Sequence, residues 1–447
     1  MYNNILEIIH AYNLIYLRTF EENLNKQRES GDNRCERLNT FYNSWLKLTD
    51  REIDKELKSD SFKLLLSDYT NSVVDLHASF RKLGYPVDYF DWISDISRQN
   101  FMSLPFSIPR ELKLSRFHVI YTNRKTRLLH YQGLDDDSGD DINKERKKAD
   151  RKQPLLIVYA PINRFHIMDL NPNRSVVRNL LSHSIDVYLL DLGYTTKEDG
   201  DLSLDDYINY VNDAVQITKD KSGVGKISIL GYCWGGILAL IYTAQKNNDN
   251  VKSLALMATP VDFSKDNTIL ASWSREIDID KMMNEFGNMS GQVLDLLFIL
   301  RNPPRYTFDK YLKLFEKLND AEFVDTFFDV EKWLYDTPSA PGSLFRQIIN
   351  DCYKNNLLII PNKMKIDSTE HHRQQIDLRN VTVPLLMIDA EKDDLVTTDS
   401  ALVVGNYVSS KDKKSMINPG GHVALCISDT AHEKLWPKVA EWILSKK

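Results

Sequence analysis

The residues best placed to do chemistry are a cysteine set among glycines, a pair of acids and a histidine behind two more glycines. Cys233 sits in Gly231-Tyr232-Cys233-Trp234-Gly235-Gly236. The pattern is the nucleophile elbow G-x-S-x-G with cysteine in place of serine. Such an elbow turns sharply from a buried strand into a helix and holds the nucleophile strained at the tip. Gly231 and Gly235 flank it because side chains there would clash. The helix start behind Cys233 favours a thiolate, and the backbone N–H of Trp234 faces a developing oxyanion. The plainer alternative is a buried cysteine at a glycine-rich turn. A strand-like run before the motif and an apolar helical pattern after it favour the elbow.

An elbow requires an acid and then a histidine, in that chain order. Asp389-Ala390-Glu391-Lys392-Asp393-Asp394-Leu395-Val396 follows an apolar run and supplies the acid. Asp393 and Asp394 are adjacent and spacing barely separates them; Asp389, at the strand end, is the weaker candidate. Among ten histidines, only His422, in Pro419-Gly420-Gly421-His422-Val423, has the right place in the order. His371 and His372 lie in a polar turn, His183 beside a helix end and His432 in the last helix. A second oxyanion donor is expected from Ala160-Pro161-Ile162-Asn163-Arg164: the N–H of Ile162, with Asn163 next. Cys35, Cys352 and Cys426 have no comparable setting and read as structural or incidental.

Those residues need a scaffold. Apolar runs at 155–159, 185–190, 227–230 and 254–257 alternate with helical patterns, the signature of a parallel sheet of βαβ units. A strand pair at 117–121 and 127–131 flanks a polar turn at Asn123 and Arg124. Ser203-Leu204-Asp205-Asp206 is a capping-box-like helix start. The alternation breaks over 263–378, where the pattern is helical and rich in aromatics. Phe308, Tyr311, Phe315, Phe323, Phe327, Phe328 and Trp333 read as core packing of a cap over the site. The sheet resumes at 383–388, with a last strand at 414–417 and a last helix at 431–444. The expected class is therefore α/β, in four stretches: a helical region 1–105, core 106–262, cap 263–378 and core 379–447. Phe62, Leu65, Leu66, Tyr69, Val73, Leu76 and Phe80 form the clearest helical stripe of the first stretch. Residues 135–141 are acidic and 144–152 basic, which predicts an exposed loop.

Composition excludes other classes. The chain has 447 residues, 42% hydrophobic and 27% charged, which rules out collagen-like, low-complexity and wholly disordered chains. Four scattered cysteines without a CxxC pair exclude a disulfide framework and suggest no zinc site. There is no run of about 20 apolar residues to span a bilayer. The start of the chain lacks the marks of a signal peptide. A net charge of -6 argues against general nucleic-acid binding. The expected compartment is the cytoplasm.

Taken together, the elbow, the 158–164 loop and Gly420-Gly421-His422 resemble the polyhydroxyalkanoate synthases. Further matches are Ser175-Val176-Val177-Arg178, Ser203-Leu204-Asp205-Asp206-Tyr207, Thr259-Pro260-Val261-Asp262-Phe263 and Glu331-Lys332-Trp333-Leu334-Tyr335-Asp336-Thr337-Pro338. The nearest likeness is to the short synthases of class III/IV type, over residue 116 to the end. The resemblance implies an α/β-hydrolase fold with an inserted helical cap. It implies Cys233 as the acyl-bearing nucleophile, His422 as base and Asp393 as acid. It implies polymerisation of 3-hydroxyacyl-CoA thioesters of short chain, such as 3-hydroxybutyryl-CoA, with release of CoA and no metal or redox cofactor. It further implies a homodimer through the cap, a second synthase subunit or granule protein as partner, and association with polyester granules. The family usually has Asp-His-Leu-Val-Pro where this chain has Asp393-Asp394-Leu395-Val396-Thr397, so Asp394 adds a like charge beside the acid. Residues 1–105 also depart from the short synthases; their end resembles the tail of the family's helical helper subunit. They are expected to be either a helper fused in cis or a docking surface for a separate one. A cysteine hydrolase such as a dienelactone hydrolase or thioesterase is the alternative function, and a granule scaffold with a degenerate site the third.

Overall fold

The computed structural model describes residues 111–133, 153–245, 249–302, 319–367 and 374–446, with isolated positions at 60, 71, 305, 306, 310, 313, 314 and 317. The helical stripes of 1–105, the charged loop of 135–152, Cys35, His371, His372, Phe308, Tyr311 and Phe315 lie outside them.

Eight strands form one sheet: β1 (Phe117–Asn123), β2 (Thr126–Tyr131), β3 (Gln153–Val158), β4 (Ile185–Asp191), β5 (Ile227–Tyr232), β6 (Val251–Met257), β7 (Leu385–Ala390) and β8 (Lys413–Asn418). Their spatial order is β1-β2-β4-β3-β5-β6-β7-β8. The pair β1–β2 and the pair β2–β4 are antiparallel and the rest parallel. Every residue of β3, β5 and β7 is buried. Helices on both faces exclude water, so these strands need apolar side chains in both directions, and continuous apolar runs result. The first turn lies at Arg124 and Lys125, one residue later than expected, with Arg124 at φ 50°.

The helices between strands include α1 (Val176–Ser182), α2 (Leu204–Ser222) and α3 (Trp234–Ala244). The box at the start of α2 closes in both directions. Ser203 N–H donates to Asp206 Oδ2 at 2.8 Å, and Asp206 N–H to Ser203 Oγ at 3.4 Å. Between β6 and β7 the chain builds a helical cap from α4 (Ile269–Glu276), α5 (Ile279–Phe286), α6 (Gly291–Leu300), α7 (Ala321–Leu334) and α8 (Gly342–Gln347). Of the aromatics expected to pack there, the described residue that joins the core is Trp333, at 6% exposure, alongside the cap's Trp273 and Phe345. Phe323, Phe327 and Phe328 are half-buried and pack ring to ring along α7, so core packing overstated their burial. The final helix is split. A π-helical turn, Ala431–Leu435, precedes α9 (Trp436–Leu444), because Pro437 has no N–H to continue a helix and suits a first turn. Among the described residues no helix is long and apolar enough to cross a membrane.

Candidate active site

The centre of the site is the junction of β5 and α3. Cys233 caps α3 at φ 54° and ψ −125°, a conformation that side chains rarely adopt and that persists only where surroundings enforce it. Backbone contacts do so here. A Cβ on Gly231 would overlap the Gly236 Cα and lie 2.9 Å from the Gly235 carbonyl oxygen. A Cβ on Gly235 would lie 2.6 Å from the Tyr159 carbonyl carbon and overlap the Val158 oxygen. The elbow therefore rests directly on the end of β3, where the 160–164 loop begins. The Cys233 N–H donates to the Met257 carbonyl at 2.9 Å, which ties the tip to β6. The Cys233 side chain remains half-buried.

The loop after β7 brings Asp393 and the loop after β8 brings His422. His422 Nδ1 lies 2.7 Å from Asp393 Oδ2, with side-chain exposures of 7% and 0%. The other carboxylate oxygen, Oδ1, accepts the N–H groups of Leu395 at 2.9 Å and Val396 at 3.0 Å. The two loops are joined where Lys392 N–H donates to the Gly420 carbonyl at 2.8 Å, with Gly420 at φ 105°. The imidazole stacks on Tyr232, ring centroids 5.0 Å apart, and lies beside Cys233. Burial alone would lower the pKa of His422. The Asp393 carboxylate and then Cys233 outweigh burial and hold it above its ordinary value. The arrangement is thus a cysteine, a histidine able to keep a proton, and an acid that fixes the tautomer.

Asp394 points the other way. It pairs with Arg301, with Arg305 at 3.6 Å, and accepts a hydrogen bond from Tyr306, all on the cap side. Burial pushes its carboxyl up, but Arg301, Tyr306 and Arg305 pull it below the usual range. The like charge beside Asp393 is therefore neutralised by cap cations. This distinction, invisible in spacing, rests on contacts 88 and more residues apart in sequence.

Asp389 is fully buried on β7; its Oδ1 accepts the Ala390 N–H at 3.0 Å and its Oδ2 has no hydrogen-bond partner. Burial, then the charge of Asp393, pushes its carboxyl up to about 7. The only sequence sign was an acid inside an apolar run. A folded-state pKa above the unfolded value means that the stability its proton confers is complete below about pH 4 and lost as pH rises through about 7. Asp389→Asn keeps the shape and the Ala390 contact without the charge. Urea unfolding should therefore show the variant gaining on wild type by on the order of 2 kcal/mol between pH 4.5 and 7.5. A constant gap across that range would contradict this account.

Trp234 opens α3 and Ile162 lies half-buried in the 160–164 loop. Asn163, beside it, has φ 59°. Cys352 and Cys426 are fully buried; burial pushes the Cys426 thiol up to about 12 and the Cys352 thiol further. His183 Nδ1 meets the Asn179 carbonyl and His432 Nε2 the Cys426 carbonyl, each at 2.8 Å, away from Cys233 chemistry. Among the described residues no group of three His, Cys, Asp or Glu side chains is placed to hold a metal ion.

Comparison with known proteins agrees with this fold. A family model described as the alpha/beta hydrolase fold matches residues 166–427, and one described as the N-terminus of poly-beta-hydroxybutyrate polymerase (PhaC) matches residues 93–180. The poly(3-hydroxyalkanoate) polymerase subunit PhaC of Allochromatium vinosum is 36% identical over 291 residues, 65% of this chain and 80% of that one. The subunit of the same name from Synechocystis sp. is 36% identical over 302 residues, 66% of this chain and 78% of that one. That of Haloarcula marismortui is 35% identical over 328 residues, 73% of this chain and 66% of that one.

Proposed function

The chain belongs to the poly(3-hydroxyalkanoate) polymerase family of alpha/beta hydrolase fold, and on that premise we propose that it grows its polyester as an acyl chain carried on Cys233. The observation that carries the reading is the Asp393–His422 couple, 2.7 Å across, closing on the cysteine of the elbow. His422 takes the Cys233 proton, and the thiolate attacks the thioester carbonyl of a 3-hydroxyacyl-CoA of short chain, such as 3-hydroxybutyryl-CoA. The N–H groups of Trp234 and Ile162 receive the oxyanion. The tetrahedral intermediate expels CoA, which takes the proton from His422, and an acyl-cysteine remains. The 3-hydroxyl of a further acyl unit then attacks that thioester, and its proton passes to His422, oriented by Asp393. The new ester lengthens the chain by one unit and frees the Cys233 sulfur. Every proton and acyl transfer is carried by side chains and amides, so the scheme uses no metal or redox cofactor.

Water competes with the 3-hydroxyl for the acyl-cysteine, and here the surroundings favour transfer over the cysteine-hydrolase alternative. The Trp234 ring lies 5.9 Å from Phe345 and 6.4 Å from Tyr353, both brought by the cap, so the nucleophile's neighbour is walled by aromatics. A chain that makes an insoluble product works at a polyester granule. Dimerisation through the cap and a helper or granule partner for residues 1–105 belong to the same proposal.

The test supplies wild type with 3-hydroxybutyryl-CoA and follows free thiol, insoluble polyester and the mass of the peptide holding Cys233. Thiol release with polymer and an acylated Cys233 is expected. Thiol release with free hydroxyacid and no polymer would establish a hydrolase instead, and an acyl group on another residue would end the cysteine mechanism.

A further inference from the structure

The loop that carries Ile162 is not held by the core alone. Asn163 stands in the left-handed region at φ 59°, which asparagine tolerates better than other non-glycine residues and which aims its side chain away from the loop. A tether comes from the cap: Asn163 Nδ2 donates to Thr337 Oγ1 at 2.9 Å. The Thr337 hydroxyl in turn donates to Asp295 Oδ1 at 2.6 Å, with the Leu334 carbonyl a more distant acceptor at 3.2 Å, and its lone pair is left for Asn163. Thr337 is 4% exposed, so neither bond is easily replaced by water. The two cap residues are locked to each other. Thr337 follows α7, Asp295 lies on α6, and a Cβ on Gly291 at the start of α6 would come within 2.8 Å of the Thr337 carbonyl carbon. An isolated bridge between Met289 and Ala340 pins the same two segments together. One residue further along the loop, the Arg164 carbonyl accepts the Trp333 Nε1–H at 2.6 Å. Cap side chains thus grip two successive residues of the loop, immediately after Ile162.

We propose that Asp295, Thr337 and Asn163 form a positioning relay that sets the second oxyanion donor only when the cap is seated. Thr337 and Asp295 touch no reacting atom; they act by holding the loop. Seating the cap would then complete the oxyanion site, so that the thioester is activated chiefly where water is already excluded. This rests on the assignment of an acyl-Cys233 intermediate and the Ile162 amide made above.

The experiment separates oxyanion positioning from general damage. Iodoacetamide alkylates a cysteine thiolate without forming an oxyanion, whereas acylation by 3-hydroxybutyryl-CoA requires one. Thr337→Val keeps the volume and removes both hydrogen bonds. It is expected to slow Cys233 acylation about 10-fold to 30-fold, less than outright loss of an oxyanion donor. Alkylation should stay within about twofold of wild type, and Thr337→Ser should restore acylation to within about threefold, since the hydroxyl is what matters. Asp295→Ala, at a half-buried position, provides a second reading if the valine variant fails to fold: the same split, at about 3-fold to 10-fold. Acylation at the wild-type rate in the variant that folds would overturn the relay. So would acylation and alkylation falling together. Absence of acyl-Cys233 in wild type would instead refute the mechanism beneath it, and that control is read first.

Discussion

Asp393→Asn is expected to slow chain extension about 10⁴-fold while slowing the first acylation only about 10²-fold, because the two steps ask different things of His422. In acylation the histidine accepts a proton from a thiol, which is acidic enough to ionise with modest help. In extension it must take a proton from an alcohol, far less acidic, as the bond forms. An asparagine at position 393 can still accept the Leu395 and Val396 N–H groups through one oxygen, so the loop should persist. It then presents an NH₂ to His422 Nδ1, favours the wrong tautomer and supplies no charge to hold the imidazolium. Asp394→Asn is the matched control. It loses its pairing with Arg301 and Arg305 but keeps an oxygen for Tyr306, and both steps should stay within about threefold of wild type. Rapid-quench measurement of the first CoA released, against steady polymer growth, reads the two steps separately. Equal losses for the two variants would show that Asp393 is not the acid of the site.

Gly235→Ala should unfold or inactivate the enzyme through packing alone, with a loss on the order of 4 kcal/mol. The added methyl would overlap the Val158 carbonyl oxygen and stand 2.6 Å from both the carbonyl carbon and oxygen of Tyr159. Neither neighbour is the free end of a flexible side chain; both are backbone at the end of the buried strand β3. Relief requires α3 to move away from β3, which shifts Cys233 against His422 and the 160–164 loop at once. Gly223→Ala is a useful contrast: nothing lies within 4 Å of its Cβ, but its φ of 69° gives a strain cost of about 1 kcal/mol. Chemical unfolding of both variants, with thiol release at 20 °C, checks the ranking. A Gly235→Ala protein as stable and active as wild type would mean that the elbow is looser than its contacts indicate.

The elbow and the order of nucleophile, acid and histidine were legible because they are local or ordered along the chain. A strand–glycine–cysteine–glycine–helix sequence admits few conformations, and a fold that binds its catalytic residues at successive strand ends dictates their succession. The parallel sheet was equally legible, since strands buried on both faces must be apolar throughout. The half-buried Phe323, Phe327 and Phe328 were not, because a helical stripe shows which residues share a face and not whether that face is covered.

The amino-acid sequence by itself determined the fold class, the candidate nucleophile and the candidate base, and with the family it determined the reaction. Spacing left Asp393 and Asp394 open and the family resemblance pointed to Asp393; tertiary structure gave the physical reason that separates these two neighbours of one residue type. What separates them is which way each side chain turns and what waits there: His422 for one, the cap arginines for the other. Tertiary structure alone left one carboxylate oxygen of the buried Asp389 without a hydrogen-bond partner and joined Asp295, Thr337 and Asn163 across the cap. These are contacts between segments distant in the chain, and electrostatics and hydrogen bonding act through space, where a residue's position in the sequence carries no distance.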